Sequence, residues 1–381
     1  MSARRGTVVA GGGTGGHVVP SLQIARALVD RGHAPETIHL YGSRRGQEAT
    51  TWPALEFPYT LLPGRGIRRS LRPSAWLANV GAVLGLLWAC ARAVSAFLVR
   101  RPRAVVVVGG YASFPAGLAA VVTRVPLVSV TTDAVPGAVN DLLGRFAAAN
   151  AVAFAGTDLP RAHVTGTPVR PELAALDRSP EARARSRAEL GLPSDRQTVA
   201  AVGGSLGARR VNQAVAELAR LWSGCEDRSL YHVTGRRDYE AFAPAPDGGA
   251  RAEGVTRPGL AYRVVAFEDR MPELYRAADV CVTRAGAMTV AELLVAGVPA
   301  ILVPLPGAPR DHQTKNARAL VDVGAAVHVP DAECDGQRLA RELEALLSDP
   351  VRLATMREAA RGHARPDAAA RVAALVDDHA R

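Results

Sequence analysis

The sequence predicts an α/β protein built from two parallel sheets in series. Three observations predict it. Apolar runs of strand length alternate with helical segments along the chain, and glycine-rich loops follow four of those runs. The runs also fall into two sets, separated by a polar, proline-containing stretch at 171–196.

The first run, Thr7–Ala10, leads into a glycine loop, Gly11–Pro20 (GGGTGGHVVP), and then into Ser21–Asp30, where Leu22, Ala25, Leu28 and Val29 share one helical face. Glycines let the backbone turn tightly and approach a ligand. The helix start offers unpaired N–H groups and a positive dipole end, so phosphate or diphosphate is the expected guest. Thr14 and His17 put a hydroxyl and an imidazole at the lip of this loop. Gly11, Gly13 and Gly16 also satisfy the dinucleotide spacing, which alone is weak, and a turn that only packs a helix on a sheet is the plain alternative. The second strand, Thr37–Tyr41, runs into Gly42-Ser-Arg-Arg45 without a ribose-binding carboxylate. Arg44 and Arg45 would suit a 2′-phosphate, which makes an NADP-dependent oxidoreductase a rival reading.

Residues 73–91 carry no charge and include Trp76, Leu77, Val80, Val83, Leu84, Leu86, Leu87 and Trp88. The length approaches a membrane span. Asn79, Gly81 and Gly85 dilute it, and Arg65, Arg68, Arg69 and Arg72 precede it, with Arg100, Arg101 and Arg103 beyond. The expectation is a helix partly embedded in an anionic membrane surface, with Trp76, Leu77, Val80, Leu84, Leu87 and Trp88 as its contacts. A buried core helix and a true span are the alternatives.

Three further runs complete the first set: Ala104–Val108, Leu127–Val130 and Ala151–Phe154. The second set is Thr198–Val202, Tyr231–Thr234, Val264–Phe267, Val280–Thr283 and Ala300–Val303. Each is continuously apolar, as strands buried on both faces are. Glycine loops recur at Gly109-Gly110-Tyr111-Ala-Ser113, at Gly203-Gly204-Ser205-Leu-Gly207, and at Ala285-Gly286-Ala-Met-Thr289 ahead of a helix over 290–296. Ligands of such sheets bind at the carboxyl ends of the strands.

The chain has 381 residues, enough for two cores, with 48% hydrophobic and 22% charged residues. The formal charge is +10, and Lys315 is the only lysine. That basicity favours anionic lipid or pyrophosphate. No dense basic run interleaved with aromatics points to nucleic acid. Cys90, Cys225, Cys281 and Cys334 are scattered, which suggests reduced structural thiols in a cytosolic protein. No apolar leader precedes Gly11, so no signal peptide is expected.

The opening loop GGGTGGHVVP, together with GGYASFPAGLAA at 109–120, VTGTPVRPEL at 164–173, GGSLGARRVN at 203–212, RAGAMTVAELLVAGVPAILVP at 284–304 and DHQTKNA at 311–317, resembles the MurG family of bacterial glycosyltransferases, and the likeness extends over most of the chain. The resemblance implies a GT-B fold, two Rossmann-like parallel-sheet domains facing a central cleft. It places an acceptor and membrane domain at 1–165, a linker at 166–196, a UDP-sugar domain at 197–365, and a last helix, 366–381, that packs back on the first domain. It implies transfer of N-acetylglucosamine from UDP-N-acetylglucosamine to an undecaprenyl-pyrophosphoryl-N-acetylmuramyl-pentapeptide, with inversion, by a peripheral enzyme on the cytoplasmic membrane face. The sequence has no Asp-x-Asp, and neither a metal nor another cofactor is required by this reading.

Carried over residue by residue, the resemblance makes Glu292 the carboxylate that grips the donor ribose. Arg170 and Ser205 are implied diphosphate ligands, with Gly286, Ala287, Met288 and Thr289 as the helix N-terminus beneath the diphosphate. Phe267 and Met271 flank the uracil, and His312, Gln313 and Asn316 read or adjoin the sugar. Thr14, Gly15, Gly16, His17, Tyr111, Ser113, Asp133 and Asn140 form the acceptor side, with His17 as the general base and Asp133 as a second catalytic candidate. One departure stands out. Where the family usually carries His-Glu-Gln-Asn, this chain reads Val130-Thr-Thr-Asp133, so a relative acting on another lipid or small-molecule acceptor is a further alternative. Glu268 also replaces a residue that is usually apolar.

Overall fold

In the computed structural model the described residues are 6–63, 73–204, 207–243 and 259–381, with the backbone alone for 73–78. Ser205, the arginines 65, 68, 69 and 72, and the Trp76 and Leu77 side chains lie outside them. The chain forms two units: 1–170 with 365–381, and 171–364.

The first unit runs β1 (Thr7–Gly11), α1 (Gly15–Asp30), β2 (Ile38–Ser43), α2 (Glu48–Thr51), β3 (Tyr59–Leu62), α3 (Pro73–Arg100), β4 (Ala104–Gly109), α4 (Phe114–Thr123), β5 (Leu127–Thr131), α5 (Ala138–Gly144), β6 (Ala149–Val152) and β7 (Ala162–Val164). Its sheet has the order β3-β2-β1-β4-β5-β6-β7 and every pairing is parallel. Alternation within the strands splits the core into two layers. Val9, Val106, Val108, Val128 and Val130 pack under α1, while Val8, Ala10, Val105, Val107 and Leu127 pack under α3 and α4. The order reverses between β1 and β4, so the loops after these two strands flank the switch point where α/β sheets take ligands.

The second unit runs α6 (Pro171–Ala174), α7 (Pro180–Glu189), β8 (Gln197–Val202), α8 (Arg209–Leu221), β9 (Arg228–Val233), α9 (Tyr239–Phe242), β10 (Ala261–Val265), α10 (Met271–Ala277), β11 (Val280–Thr283), α11 (Ala287–Ala296), β12 (Ala300–Leu302), α12 (His312–Val321), β13 (Ala326–His328), α13 (Gly336–Leu347) and α14 (Pro350–His363). Its parallel sheet has the order β10-β9-β8-β11-β12-β13, with the reversal between β8 and β11. The final helix, α15 (Ala368–His379), belongs to the first unit, where Val372, Ala373 and Val376 join the α1 layer.

The stretch read as a linker contains α6 and α7 and packs with the second unit beyond Arg170. Residues 171–196 are part of the second unit, and ionic contacts explain why. Asp279, buried at the start of β11, pairs with Arg183 and Arg187 of α7 and accepts from Thr198 N at 2.8 Å. Arg178 donates to the carbonyls of Ala278 and Gly297 at 2.5 and 2.8 Å. Three strands, β3, β7 and β13, escape the apolar-run reading because they are short and partly exposed. The first helix starts six residues earlier than its apolar face suggests, so His17 sits in its first turn.

Helix α3 is long and apolar enough to cross a membrane by length and composition over 79–100. Ala89, Ala93 and Phe97 are buried on the side facing the sheet and α4, and Ala82 is buried as well. Val80, Val83, Leu84, Leu87, Trp88 and Leu98 are exposed on the other. Neither pure alternative describes it: one face is core, and the opposite face is apolar and open.

Candidate active site

In the first unit the site is built on the loops after β1 and β4. Thr14 caps α1, and its carbonyl accepts from the His17 and Val18 N–H groups at 3.0 Å. That turns the half-buried His17 ring onto Gly109 and Gly110, whose φ angles are +108° and +74°. A Cβ at Gly109 would stand 3.2 Å from His17 Nε2, and one at Gly110 would stand 3.1 Å from Nδ1. The second glycine loop is thus a seat for an imidazole. A backbone hydrogen bond with Gly12 and a long contact from Thr14 Oγ1 to Nδ1, 3.4 Å, orient the ring. Burial pulls the imidazole below the ordinary 6.5, opposed by the negative charges of Asp133 and then Glu48. A histidine held neutral near pH 7 is poised to accept a proton.

Of the other acceptor-side candidates, Gly15 and Gly16 open α1 beside an exposed Thr14, and Tyr111 is half-buried with its hydroxyl 3.0 Å from Ser43 Oγ. Ser113 and Asn140 lie inside the fold. Ser113 is fully buried, and its hydroxyl donates to Gly110 O at 2.9 Å, closing the turn beneath His17. Asn140 is also buried; its amide donates to Val130 O at 2.6 Å and Thr131 Oγ1 at 3.0 Å, which fixes the rewritten Val130–Asp133 block. Thr131 and Thr132 are buried in that block, while Asp133 is half-buried and acts on His17. The expected phosphate cradle also changes character. The Gly13 N–H donates to both carboxylate oxygens of Glu48, at 3.1 and 2.9 Å, so that amide is already engaged. Spacing rules gave no hint of Glu48, which lies 35 residues downstream.

In the second unit Gly286 caps α11, and Ala287, Met288 and Thr289 form its first turn. Asn316 is fully buried and donates to Ala285 O at 3.0 Å. It therefore braces this loop from inside the fold. Gln313 Oε1 accepts from Leu305 N at 2.9 Å, leaving its amide hydrogens, and His312 Nδ1 donates to Pro309 O at 2.9 Å. Arg284 ties the same region to Asp331 at 2.6 Å and to Val303 O at 3.1 Å. Glu292, one turn into α11, is only 7% exposed, more enclosed than a surface helix carboxylate, and accepts from Tyr275 Oη at 3.1 Å. Phe267 is exposed beneath the Arg236 guanidinium, 4.7 Å from the ring centroid. The adjoining Glu268 turns inward, accepting from the Tyr231 hydroxyl and from Arg270 N at 2.9 Å, and so anchors the turn from Phe267 to Met271. Arg170 is the last residue of the first unit.

A cavity of about 560 Å³ lies elsewhere, at the amino ends of the first sheet, lined by Arg31, His33, Arg103, Asp377 and Arg381. Asp377 of α15 accepts there from Arg31 and His33 at 2.7 and 2.8 Å, so the cavity marks the fastening of the last helix.

Known proteins match this arrangement throughout. Residues 7–152 match the glycosyltransferase family 28 N-terminal domain and 198–372 match the family 28 C-terminal domain. A protein of Alkalilimnicola ehrlichii named UDP-N-acetylglucosamine--N-acetylmuramyl-(pentapeptide) pyrophosphoryl-undecaprenol N-acetylglucosamine transferase is 41% identical, covering 98% of this chain and 99% of its own length. A protein of the same name from Desulforudis audaxviator is 37% identical over 95% of each chain. The crystal structure of Acinetobacter baumannii MurG superposes with a TM-score of 0.74 at 29% identity, covering 98% of this chain and 99% of that one. Two parallel-sheet α/β units of this topology define the class, a GT-B glycosyltransferase. Within it, the chain belongs to glycosyltransferase family 28, among the MurG enzymes. Nothing in these matches supports the oxidoreductase reading.

Proposed function

We propose that the chain moves N-acetylglucosamine from UDP-N-acetylglucosamine to N-acetylmuramyl-(pentapeptide) pyrophosphoryl-undecaprenol, as an inverting transferase of peptidoglycan synthesis. The observation that carries this reading is near full-length identity of 34–41% to proteins bearing that name. The site supports it chemically. His17 Nε2 takes the proton of the acceptor hydroxyl as that oxygen attacks the anomeric carbon from the face opposite the nucleotide. The bond from the anomeric carbon to the diphosphate oxygen breaks, and UDP leaves with the electron pair. The N-terminus of α11 stabilises the charge gathering on that diphosphate. Glu292 accepts from the ribose hydroxyls while Tyr275 holds its other side in place. Neither step calls on a metal or another cofactor.

The open face of α3 is our candidate for docking on an anionic membrane, on its cytoplasmic side. Its apolar side chains meet the acyl boundary, and Trp88 carries Arg92 5.4 Å from its ring centroid. A span is disfavoured because α3 connects two strands of one sheet and packs on α4.

The rewritten block supports a second reading, an altered lipid acceptor, since Asp133 brings a carboxylate to His17 where the family resemblance implies other groups. One assay tests both. UDP release and lipid product are followed for the parent, His17→Ala and Asp133→Asn with the muramyl-pentapeptide lipid in vesicles. Loss of about a hundredfold or more in turnover for His17→Ala supports the base assignment. Full activity in that variant moves the base elsewhere, and a parent inactive on this lipid but able to bind the donor favours another acceptor.

A further inference from the structure

Glu48 is fully buried, and the transfer chemistry does not use it. Its carboxylate is met by backbone amides: Gly13 N donates to both oxygens and Ser43 N to Oε1 at 2.8 Å. Three glycines make room for it. A Cβ at Gly12, Gly42 or Gly46 would approach the Glu48 side chain to 2.2, 2.7 or 2.0 Å. Its bonds tie together two loops, and the Ser43 hydroxyl carries the link to a third. Gly13 belongs to the loop that leads into α1 and His17, Ser43 ends β2, and the Ser43 hydroxyl meets Tyr111 of the second glycine loop at 3.0 Å. A buried carboxylate surrounded by amides that need acceptors is a rigid node, because any motion leaves N–H groups unpaired.

We propose that Glu48 is a positioning residue for the transfer, holding the His17 loop and the Tyr111 loop in one frame beneath the acceptor. The proposal rests on His17 being the base. Three titratable groups bear on that ring or its loop: Asp133 after β5, Glu48 from α2, and Tyr111, whose ring lies 3.4 Å from a Cβ built on Gly13. Glu48 thus acts on His17 twice, by fixing the loop and by placing negative charge below it.

The test uses the full chain with acceptor lipid in vesicles. Glu48→Gln keeps the shape and removes the charge, and Glu48→Asp keeps the charge and shortens the reach. Glu48→Gln should lower kcat by about 10- to 100-fold, the scale of a small misplacement of reacting groups. KM for the donor and UDP affinity should stay within about twofold, because uniform binding is untouched. The acid limb of kcat/KM should move to lower pH in Glu48→Gln, since a negative charge that favours the imidazolium is lost, and should stay in place in Glu48→Asp while kcat falls. On a His17→Ala background, Glu48→Gln should change kcat by less than about threefold, because two residues acting through one step are not additive. An unchanged kcat, or an unmoved acid limb with the full loss persisting without His17, overturns the proposal. Misfolding shows separately as a lowered melting temperature, and Glu48→Asp then carries the comparison. Full activity of His17→Ala alone refutes the base assignment; a loss on adding Glu48→Gln to it would show that Glu48 acts by another route.

Discussion

The sharpest use of the α3 geometry is to strip its open face. Leu84 and Leu87 are each 61% exposed and Trp88 is 49% exposed. Burying such a side chain completely is worth about 1.5–3 kcal/mol, so the open half or more of each contributes about 1–2 kcal/mol on entering an acyl boundary. Three together give about 3–5 kcal/mol, or about two to three and a half powers of ten in partitioning. The triple variant Leu84→Ser, Leu87→Ser, Trp88→Ser should therefore lose most of its binding to vesicles containing anionic lipid in a co-sedimentation assay. Its melting temperature should change little, because these positions already face solvent. Phe97, 2% exposed on the opposite side of the same helix, is the control. Phe97→Ala should destabilise the first unit by about 3–5 kcal/mol. Unchanged vesicle binding by the triple variant, or its unfolding at ordinary temperature, would refute the division of α3 into a core face and a docking face.

Other consequences follow from the second unit. Glu292→Gln should weaken UDP binding by about 1.5–3 kcal/mol, the worth of hydrogen bonds to a charged group; titration calorimetry giving equal affinities would remove Glu292 from the site. Asp279→Asn should destabilise this unit by about 3–5 kcal/mol in urea, because Arg183 and Arg187 lose their buried counter-charge. A wild-type midpoint would show that α7 is held by other contacts. Burial pushes His232 down to about 3 from the ordinary 6.5. Between those values the unfolded chain takes up a proton that the folded chain refuses, so stability falls as pH falls, by about 1.4 kcal/mol per pH unit. His232→Gln should remove that component of the slope between pH 6 and 4, read by denaturant midpoints; an identical slope would contradict it.

Much of this was legible in the residues. The continuous valine runs at β1 and β4 and the apolar strands β8 and β11 betray parallel strands covered on both faces, and a glycine loop after each marks the switch points. The resemblance singled out His17, which lies in the first turn of α1, and Glu292, which lies midway along α11. What escaped has physical causes. Glu48 is one acidic residue in a four-residue helix, and only the folded chain brings it under Gly13. Asn316 and Ser113 are ligand candidates by resemblance, and the sequence does not show that both are buried and donate to loop carbonyls. The polar composition of 171–196 looks like a linker until Asp279, about 90 residues later, collects its arginines. On α3 the apolar pattern runs all the way round, so composition alone does not tell the packed side from the open one.

The most direct measurement supplies the purified chain with radiolabelled UDP-N-acetylglucosamine and N-acetylmuramyl-(pentapeptide) pyrophosphoryl-undecaprenol in vesicles, and follows UDP and labelled lipid together. The expected result is one labelled disaccharide lipid formed per UDP released, lowered about 10- to 150-fold at limiting donor by Glu292→Ala and at least a hundredfold by His17→Ala, on the usual scale of general-base catalysis. No labelled lipid from a chain that binds UDP-N-acetylglucosamine normally, or label passing only to a different acceptor, would contradict it.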